Sequence, residues 1–237
     1  MDLEFLELLG LALAPVVFIL TYVYLRDEYD REPLKYLIIT FILGVLTAFP
    51  VIWLSPYLQG IVGVNANSTD PLDLVMYAFI VVAMLEEGMK YLVLRWYNYP
   101  HREFDEPYDG IMYGVVVSLG FAAIENVLYV LGAGEGAIET GILRMFTAVP
   151  AHATFGIIMG YYVGKAKFLE GKGHPFWERM KGLIAAIAFH GCYDFFLFLH
   201  DAYIAILAFV SLFVGIILAR RAMKTHQEIS PHRGSTD

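Results

Sequence analysis

Long apolar runs dominate the chain, and each could cross the roughly 30 Å hydrocarbon core of a bilayer as a helix. We predict seven such spans, at residues 3–25, 34–54, 72–94, 110–132, 138–164, 183–199 and 202–220. The pattern predicts an all-α fold, a polytopic membrane helix bundle with about seven transmembrane helices. Residues 1–225 would form a single integral-membrane domain, and residues 226–237 would form a polar cytoplasmic tail.

Composition excludes an ordinary soluble domain. The 237 residues are 58% hydrophobic and 15% aromatic, with a mean hydropathy of +0.59. Such values are typical of membrane proteins. Cys192 is the one cysteine, which excludes an internal disulfide and a cysteine-based zinc cluster. We therefore expect a multi-pass protein of the cell membrane, with the lipid bilayer and no nucleic acid among its partners.

The basic residues predict the topology. Of the 16 Lys and Arg residues, all but Lys90 and Arg144 fall in or beside alternate connections and the carboxyl-terminal segment. Since cytoplasmic loops carry an excess of Lys and Arg, the amino terminus should lie outside and the carboxyl terminus in the cytoplasm. Arg144 would sit near the outer interface, where its long side chain can reach the headgroups.

Ionisable residues inside four spans are the strongest functional signal. They are Glu86, Glu87 and Lys90 in the third span, Glu125 with Asn126 in the fourth, His152 in the fifth, and His190 and Asp194 in the sixth. A charged group at bilayer depth costs at least a few kcal/mol on insertion scales and normally faces the bundle interior. The pattern predicts a shared intramembrane site with a polar cavity open to one aqueous face.

Rows of small residues share a helix face with these polar groups, because residues four apart lie on the same face. The rows are Gly110, Gly114, Ser118, Ala122 and Asn126; His152, Gly156, Gly160 and Gly164; and Gly182, Ala186, His190 and Asp194. Small residues let helix backbones approach closely in a membrane. Each row should therefore turn its polar residue toward a neighbouring helix.

The charge balance leaves two chemistries open. Four carboxylates face Lys90 and Arg144, and the excess negative charge requires proton uptake or a bound cation. Glu125, His152 and His190 would form a tetrahedral zinc set with one position left for water. Protonation of one carboxylate, in a glutamate mechanism without metal, satisfies the same balance. A third interpretation is structural, with Lys90 neutralising one glutamate and locking helices together.

At these residues the chain resembles the PrsW family of intramembrane proteases, within the larger group of CAAX prenyl endopeptidases and bacteriocin-processing enzymes. The motifs appear in the family's order: Glu86-Glu87-Gly-Met-Lys90, Gly120-Phe121-Ala-Ala-Ile-Glu125-Asn126, His152, and His190-Gly-Cys-Tyr-Asp194. Tyr113-Gly114 and Phe155-Gly156 fit as well. Glu125 and Asp194 depart from the histidine and asparagine of the prenyl-protein branch, which argues against prenylated substrates.

The resemblance implies hydrolysis of a peptide bond in or near the transmembrane segment of a membrane-anchored protein. Founding members cut an anti-sigma factor, and we carry over the protease class rather than that substrate.

Hydrolysis requires a base, a carbonyl polariser and an acid for the leaving amine. We assign the base to Glu86, with Glu87 held by or exchanging with Lys90, and the sequence leaves Glu87 open as the alternative base. The set of Glu125, His152 and His190 would surround a metal, or supply a water-activating dyad and oxyanion donors without one. Asp194 would orient His190, and Asn126 could bond the substrate carbonyl.

Two other functions remain open from the sequence. A proton- or cation-coupled transporter would also use carboxylate and histidine relays, and a catalytically silent scaffold would bind a membrane partner. The depths of the residues present a further difficulty. At about 1.5 Å per residue, Glu86 and His190 would lie about 14 Å from the cytoplasmic ends and Glu125 about 24 Å. Helix tilt or a shifted boundary in the fourth span would close that gap.

Overall fold

The computed structural model describes residues 3–168, 173–199, 201 and 203–233, and among these residues it contains helices and no β-strand. The helices are α1 (Leu3–Leu25), α2 (Leu34–Val62), α3 (Pro71–Met76), α4 (Met84–Val93), α5 (Pro107–Gly132), α6 (Ala137–Phe146), α7 (Ala148–Lys167), α8 (Pro175–Phe198) and α9 (Ile206–Glu228). The predicted all-α bundle is confirmed.

Six helical stretches of the described chain are long and apolar enough to cross a membrane, which agrees with a multi-pass protein. They are α1, α2, α5, the stretch Gly134–Lys167 that contains α6 and α7, α8 and α9. The predicted third span corresponds to residues 71–98. There, the π-helical segments Tyr77–Ala83 and Leu94–Asn98 flank α4. Single-turn π-helical insertions are frequent at functional sites, and here such segments border the helix that carries Glu86 and Glu87.

The predicted fifth span is divided in the structure. The backbone leaves helical geometry at Thr147, with φ −123° and ψ −78°, so that α6 ends at Phe146 and α7 begins at Ala148. His152 consequently lies in the second turn of α7 rather than midway along one long helix. At the other end of the chain, α9 continues to Glu228. Residue 200, between the predicted sixth and seventh spans, residue 202 at the start of the seventh, and residues 234–237 of the predicted tail lie outside the described residues.

Helix α5 lies at the centre of the bundle and packs on α1, α2 and α7. Its contact with α7 depends on glycine. A Cβ on Gly114 would collide with the carbonyl oxygen of Gly156, and a Cβ on Gly156 would collide with that of Gly114. The two backbones therefore touch directly, as the rows of small residues predict. This close packing fixes α7, which carries His152, against α5, which carries Glu125.

The basic segments meet on one side of the molecule. Gln227 donates a hydrogen bond to the carbonyl of Arg26, and Lys167 donates to the carbonyls of Tyr99 and His101, both at 2.8 Å. Ser230 also bonds to Glu106. These contacts agree with the alternation of loops on which the topology was based. That this side faces the cytoplasm stays a prediction from the charge distribution.

Candidate active site

Three ionisable side chains lie on one face of α4, because they are three and four residues apart. The Lys90 ammonium lies 3.3 Å from Glu86 Oε2 and 2.7 Å from Glu87 Oε1. Glu87 and Lys90 are completely buried, and Glu86 is 6% exposed. The ammonium also lies 4.2 Å from the centre of the Phe121 ring. One lysine thus offsets part of the charge of both glutamates, with an aromatic face beside it.

His152 of α7 connects this group to α5. Its Nδ1 lies 3.2 Å from Lys90 Nζ, and its Nε2 lies 2.9 Å from Glu125 Oε2. An ammonium can only donate, so Nδ1 accepts from Lys90 and the imidazole proton on Nε2 points to Glu125. This assignment follows from the hydrogen-bond partners. His152 therefore bridges the difference in depth that the sequence implied between Glu86 and Glu125.

His190 of α8 also reaches α4, beside His152, with 5.4 Å between the centroids of the two imidazole rings. Its Nδ1 lies 2.9 Å from Glu87 Oε1, while its Nε2 lies 3.2 Å from Asp194 Oδ2 and 4.0 Å from Glu86 Oε2. Phe155 stacks on the ring, with 4.9 Å between centroids and 20° between planes. The ring is thus held by carboxylates at both nitrogens and by an aromatic face.

Arg144 of α6 forms an ion pair with Glu125. Its guanidinium donates to Glu125 Oε2 at 2.7 Å and to Asn126 Oδ1 at 2.6 Å. Asn126 is buried and donates its own amide to the carbonyl of Ala12 at 2.8 Å. Both ends of the Asn126 amide are therefore engaged by protein groups.

A cavity of ≈ 580 Å³ opens beside this network. Its polar lining includes Glu86, Glu125, Arg144, His152, His190 and Asp194, together with Tyr77, Tyr129 and Tyr193. Apolar residues of α2 and α8 complete the wall, among them Val51, Ile52 and Leu197. The Glu125 and Asp194 side chains are 20% and 14% exposed, so water reaches the network. Glu87 and Lys90 are enclosed behind Glu86.

Four residues offer a metal-binding group. Ligand atoms of Glu86, Glu87, His152 and His190 all lie within 4.8 Å of one another. Two imidazoles and a carboxylate are a donor set that zinc uses, and Glu87 Oε2 is buried without a hydrogen-bond partner among the described residues. The residues present therefore fit a zinc ion, although Lys90 competes for three of the four.

The eight residues singled out from the sequence form one connected network. It runs from Asp194 through His190, Glu87, Lys90 and Glu86 to His152, Glu125 and Asn126. Glu125 was expected among the metal ligands. It does not belong to the group of four possible ligands and contacts that group through His152.

The sequence analysis counted Arg144 in the charge balance but assigned it no partner in the site, because an arginine near a span end is ordinarily a headgroup contact. The tyrosines of the cavity wall were likewise not identified, since tyrosine is common near membrane interfaces. One feature of the sequence could have identified Arg144, because it is a cation within the predicted span that also contains His152.

Known proteins resemble the chain over most of its length. A family model described as PrsW family intramembrane metalloprotease matches residues 32–219. Protease PrsW of Geobacillus kaustophilus is 41% identical over 192 residues, 81% of this chain and 80% of the relative. The Bacillus subtilis Protease PrsW is 38% identical over 190 residues, 80% of this chain and 82% of the relative. For the Oceanobacillus iheyensis Protease PrsW the identity is 36% over 225 residues, 94% of this chain and 97% of the relative. No solved structure matches this chain.

Proposed function

Since this chain belongs to the PrsW family of intramembrane metalloproteases, we propose that Glu86 is the base with which it hydrolyses a peptide bond of a membrane protein. The observation that carries the assignment is the difference between the two adjacent glutamates. Glu86 lines the cavity, whereas Glu87 is enclosed between Lys90 and His190. A base must reach the water whose proton it takes, which favours Glu86.

The Glu86 carboxylate would accept a proton from the attacking water and return it to the leaving amine. The Lys90 ammonium, 3.3 Å from Glu86 Oε2, would favour the ionised form of that carboxylate and steady its orientation. The wall of the cavity would hold the substrate chain beside Glu86. Proximity of this kind supplies a large part of the acceleration in hydrolases.

We assign the metal to Glu87, His152 and His190. Glu87 has a buried oxygen without a partner, and each histidine has a carboxylate on its far side that could orient the ring. Bound there, zinc would polarise the scissile carbonyl and lower the pKa of water. Glu125 thereby changes from a predicted ligand to the residue that orients His152, as carboxylates commonly do behind metal-binding histidines.

Arg144 and Asn126 would act through Glu125 rather than on the substrate. The guanidinium binds both residues, and the Asn126 amide ties them to α1 through the Ala12 carbonyl. Asp194 has the corresponding role for His190, 3.2 Å from its Nε2. These three are positioning residues, and their loss should weaken the site without removing it.

The shape of the cavity suggests the kind of substrate. Its lining extends from Glu86 to Ser55, Ala66 and Phe198, which lie at the predicted outer ends of their helices or beyond. We therefore propose a single-span, membrane-anchored protein whose scissile bond lies near the outer end of its transmembrane helix. A membrane-anchored anti-sigma factor would fit this description.

Cleavage of single-span proteins in reconstituted vesicles tests the proposal. The wild-type protein should cut such a substrate, and Glu86→Gln should lower the rate by about 10³-fold. Glu139→Gln, an exposed carboxylate on α6, is the matched control and should cleave like the wild type. Cleavage by Glu86→Gln within about threefold of the wild-type rate would reject Glu86 as the base.

The same vesicles distinguish the protease from a proton-coupled transporter. A pH-sensitive dye inside them would report proton flux that Glu86→Gln abolishes if the carboxylates form a relay. The protease proposal predicts cleavage and no such flux.

A further inference from the structure

A second group of carboxylates lies on the opposite side of the bundle from the cavity, where three chain segments meet. Asp27 and Asp30 come from the loop between α1 and α2, Asp105 and Glu106 precede α5, and His232 follows α9. None of these residues takes part in the proposed hydrolysis. Three of them, Asp30, Asp105 and His232, nevertheless form the second convergent set of metal-ligating atoms among the described residues.

Asp27 and Glu106 form the buried floor of this group, and each is 1% exposed. Their carboxyl groups face each other within hydrogen-bonding range. Glu106 accepts a hydrogen bond from Ser230, but its other oxygen and both oxygens of Asp27 lack a partner among the described residues. Three buried carboxylate oxygens therefore converge with no donor to satisfy them, which is strongly unfavourable unless something binds there.

The nearby cations are engaged elsewhere. The Arg31 guanidinium donates to the backbone carbonyl of Asp27 at 3.4 Å, and Lys167 donates to two carbonyls. Protein cations therefore leave most of this negative charge uncompensated.

The rim of the group supplies further ligand atoms. Atoms of Asp30, Asp105 and His232 all lie within 4.8 Å of one another, and His232 Nε2 is 3.3 Å from Asp105 Oδ1 and 4.0 Å from Asp30 Oδ2. Carboxylate oxygens are the ligands that Ca²⁺ and Mg²⁺ prefer, and the exposed rim would allow a bound ion to keep some of its water. A single proton shared between Asp27 and Glu106 would use none of these rim atoms.

We propose that Asp27 and Glu106, with Asp30 and Asp105 at the rim, bind an oxygen-ligated divalent cation distinct from the metal of the hydrolytic site. The ion would join the α1–α2 loop, the start of α5 and the segment after α9. Because α5 also carries Glu125, the ion would stabilise the helix on which the active site depends. The proposal of this cation site does not depend on the proposed protease mechanism.

The test uses the purified full-length protein in detergent, stripped of metal and then given Ca²⁺ or Mg²⁺ separately. Equilibrium dialysis should find about one divalent ion per chain, and a hundredfold excess over Kd should raise the unfolding temperature by about 5 °C. The ion with the lower Kd is the one the site prefers. Asp27→Asn and Glu106→Gln should each weaken binding at least about tenfold.

Two control variants separate this site from other acidic groups. Glu28→Gln changes an exposed carboxylate in the same loop and should bind the ion like the wild type. His190→Ala disables the proposed zinc site and should also retain the ion. Binding that survives Asp27→Asn but disappears in His190→Ala would overturn the proposal. So would a wild-type protein that binds neither ion at millimolar concentration, in which case the facing carboxyls share a proton.

Discussion

The two carboxylate groups differ in what neutralises them. In the membrane, Glu86, Glu87 and Glu125 each have a lysine or arginine within 3.3 Å. On the loop side, Asp27 and Glu106 face each other while the neighbouring cations bind carbonyl oxygens. The first group is preorganised by its own side chains, as electrostatic catalysis requires. The second lacks such compensation and is suited to an external cation.

Buried charge behaves differently in the two settings. Removing one partner of a compensated pair leaves a bare charge in a low-dielectric interior, which is strongly destabilising. Removing one member of an uncompensated like-charged pair relieves repulsion and should therefore stabilise the folded protein. Substitutions that delete a single charge therefore distinguish the two groups directly.

Lys90→Met should have the largest effect on stability. It removes the cation shared by Glu86 and Glu87 and should lower the free energy of unfolding by about 3–5 kcal/mol in zinc-stripped protein. Thermal unfolding in detergent measures the change. Lys224→Met, which removes a surface lysine 3.7 Å from Glu228, is the control and should change stability by less than about 1 kcal/mol. Equal effects of the two substitutions would contradict the compensated-cluster account.

Glu125→Gln should have an intermediate effect, seen in activity rather than in folding. The neutral amide accepts from His152 Nε2–H, 2.9 Å away in the wild type, more weakly than the carboxylate does, so zinc affinity and cleavage rate should fall about ten- to a hundredfold. Titration with a zinc-competing chelator and the cleavage assay measure the two quantities. A loss as large as that of Glu86→Gln would instead make Glu125 part of the catalytic machinery.

Asp27→Asn should have the smallest effect, with the opposite sign to Lys90→Met. With chelator present, it should raise the unfolding temperature by about 2–4 °C, because one of two facing buried carboxylates becomes neutral. With saturating divalent cation, the wild-type protein should be the more stable of the two. A variant that is less stable than the wild type in chelator would show that Asp27 is already compensated in the folded protein.

Much of the intramembrane site could be predicted from the sequence, since polar residues stand out in apolar spans. Glu86, Glu87 and Lys90 are three or four residues apart, and helical geometry alone brings them together. The rows of small residues predicted close approach to a neighbouring helix, and the reciprocal contact of Gly114 and Gly156 shows that α5 and α7 approach each other in this way. Local spacing and residue size were sufficient for these features.

Other features depend on tertiary geometry that the pattern does not contain. The break at Thr147 ends α6 and turns Arg144 back toward Glu125, although hydrophobicity is continuous across residues 138–164. The burial of Asp27 was also not predictable, because acidic residues in a short polar loop are ordinarily exposed. Asp27 is covered only when residues from the start of α5 and the end of α9 pack over the loop.

The most direct test of the central claim compares zinc content in Glu86→Gln and Glu87→Gln, with cleavage measured on the same reconstituted samples. The account assigns the base to Glu86 and a metal ligand to Glu87. It therefore predicts that Glu86→Gln keeps zinc near the wild-type level while losing cleavage, and that Glu87→Gln loses both. Full cleavage by a zinc-free wild-type protein, or retention of zinc by Glu87→Gln together with its loss from Glu86→Gln, would contradict that division of roles.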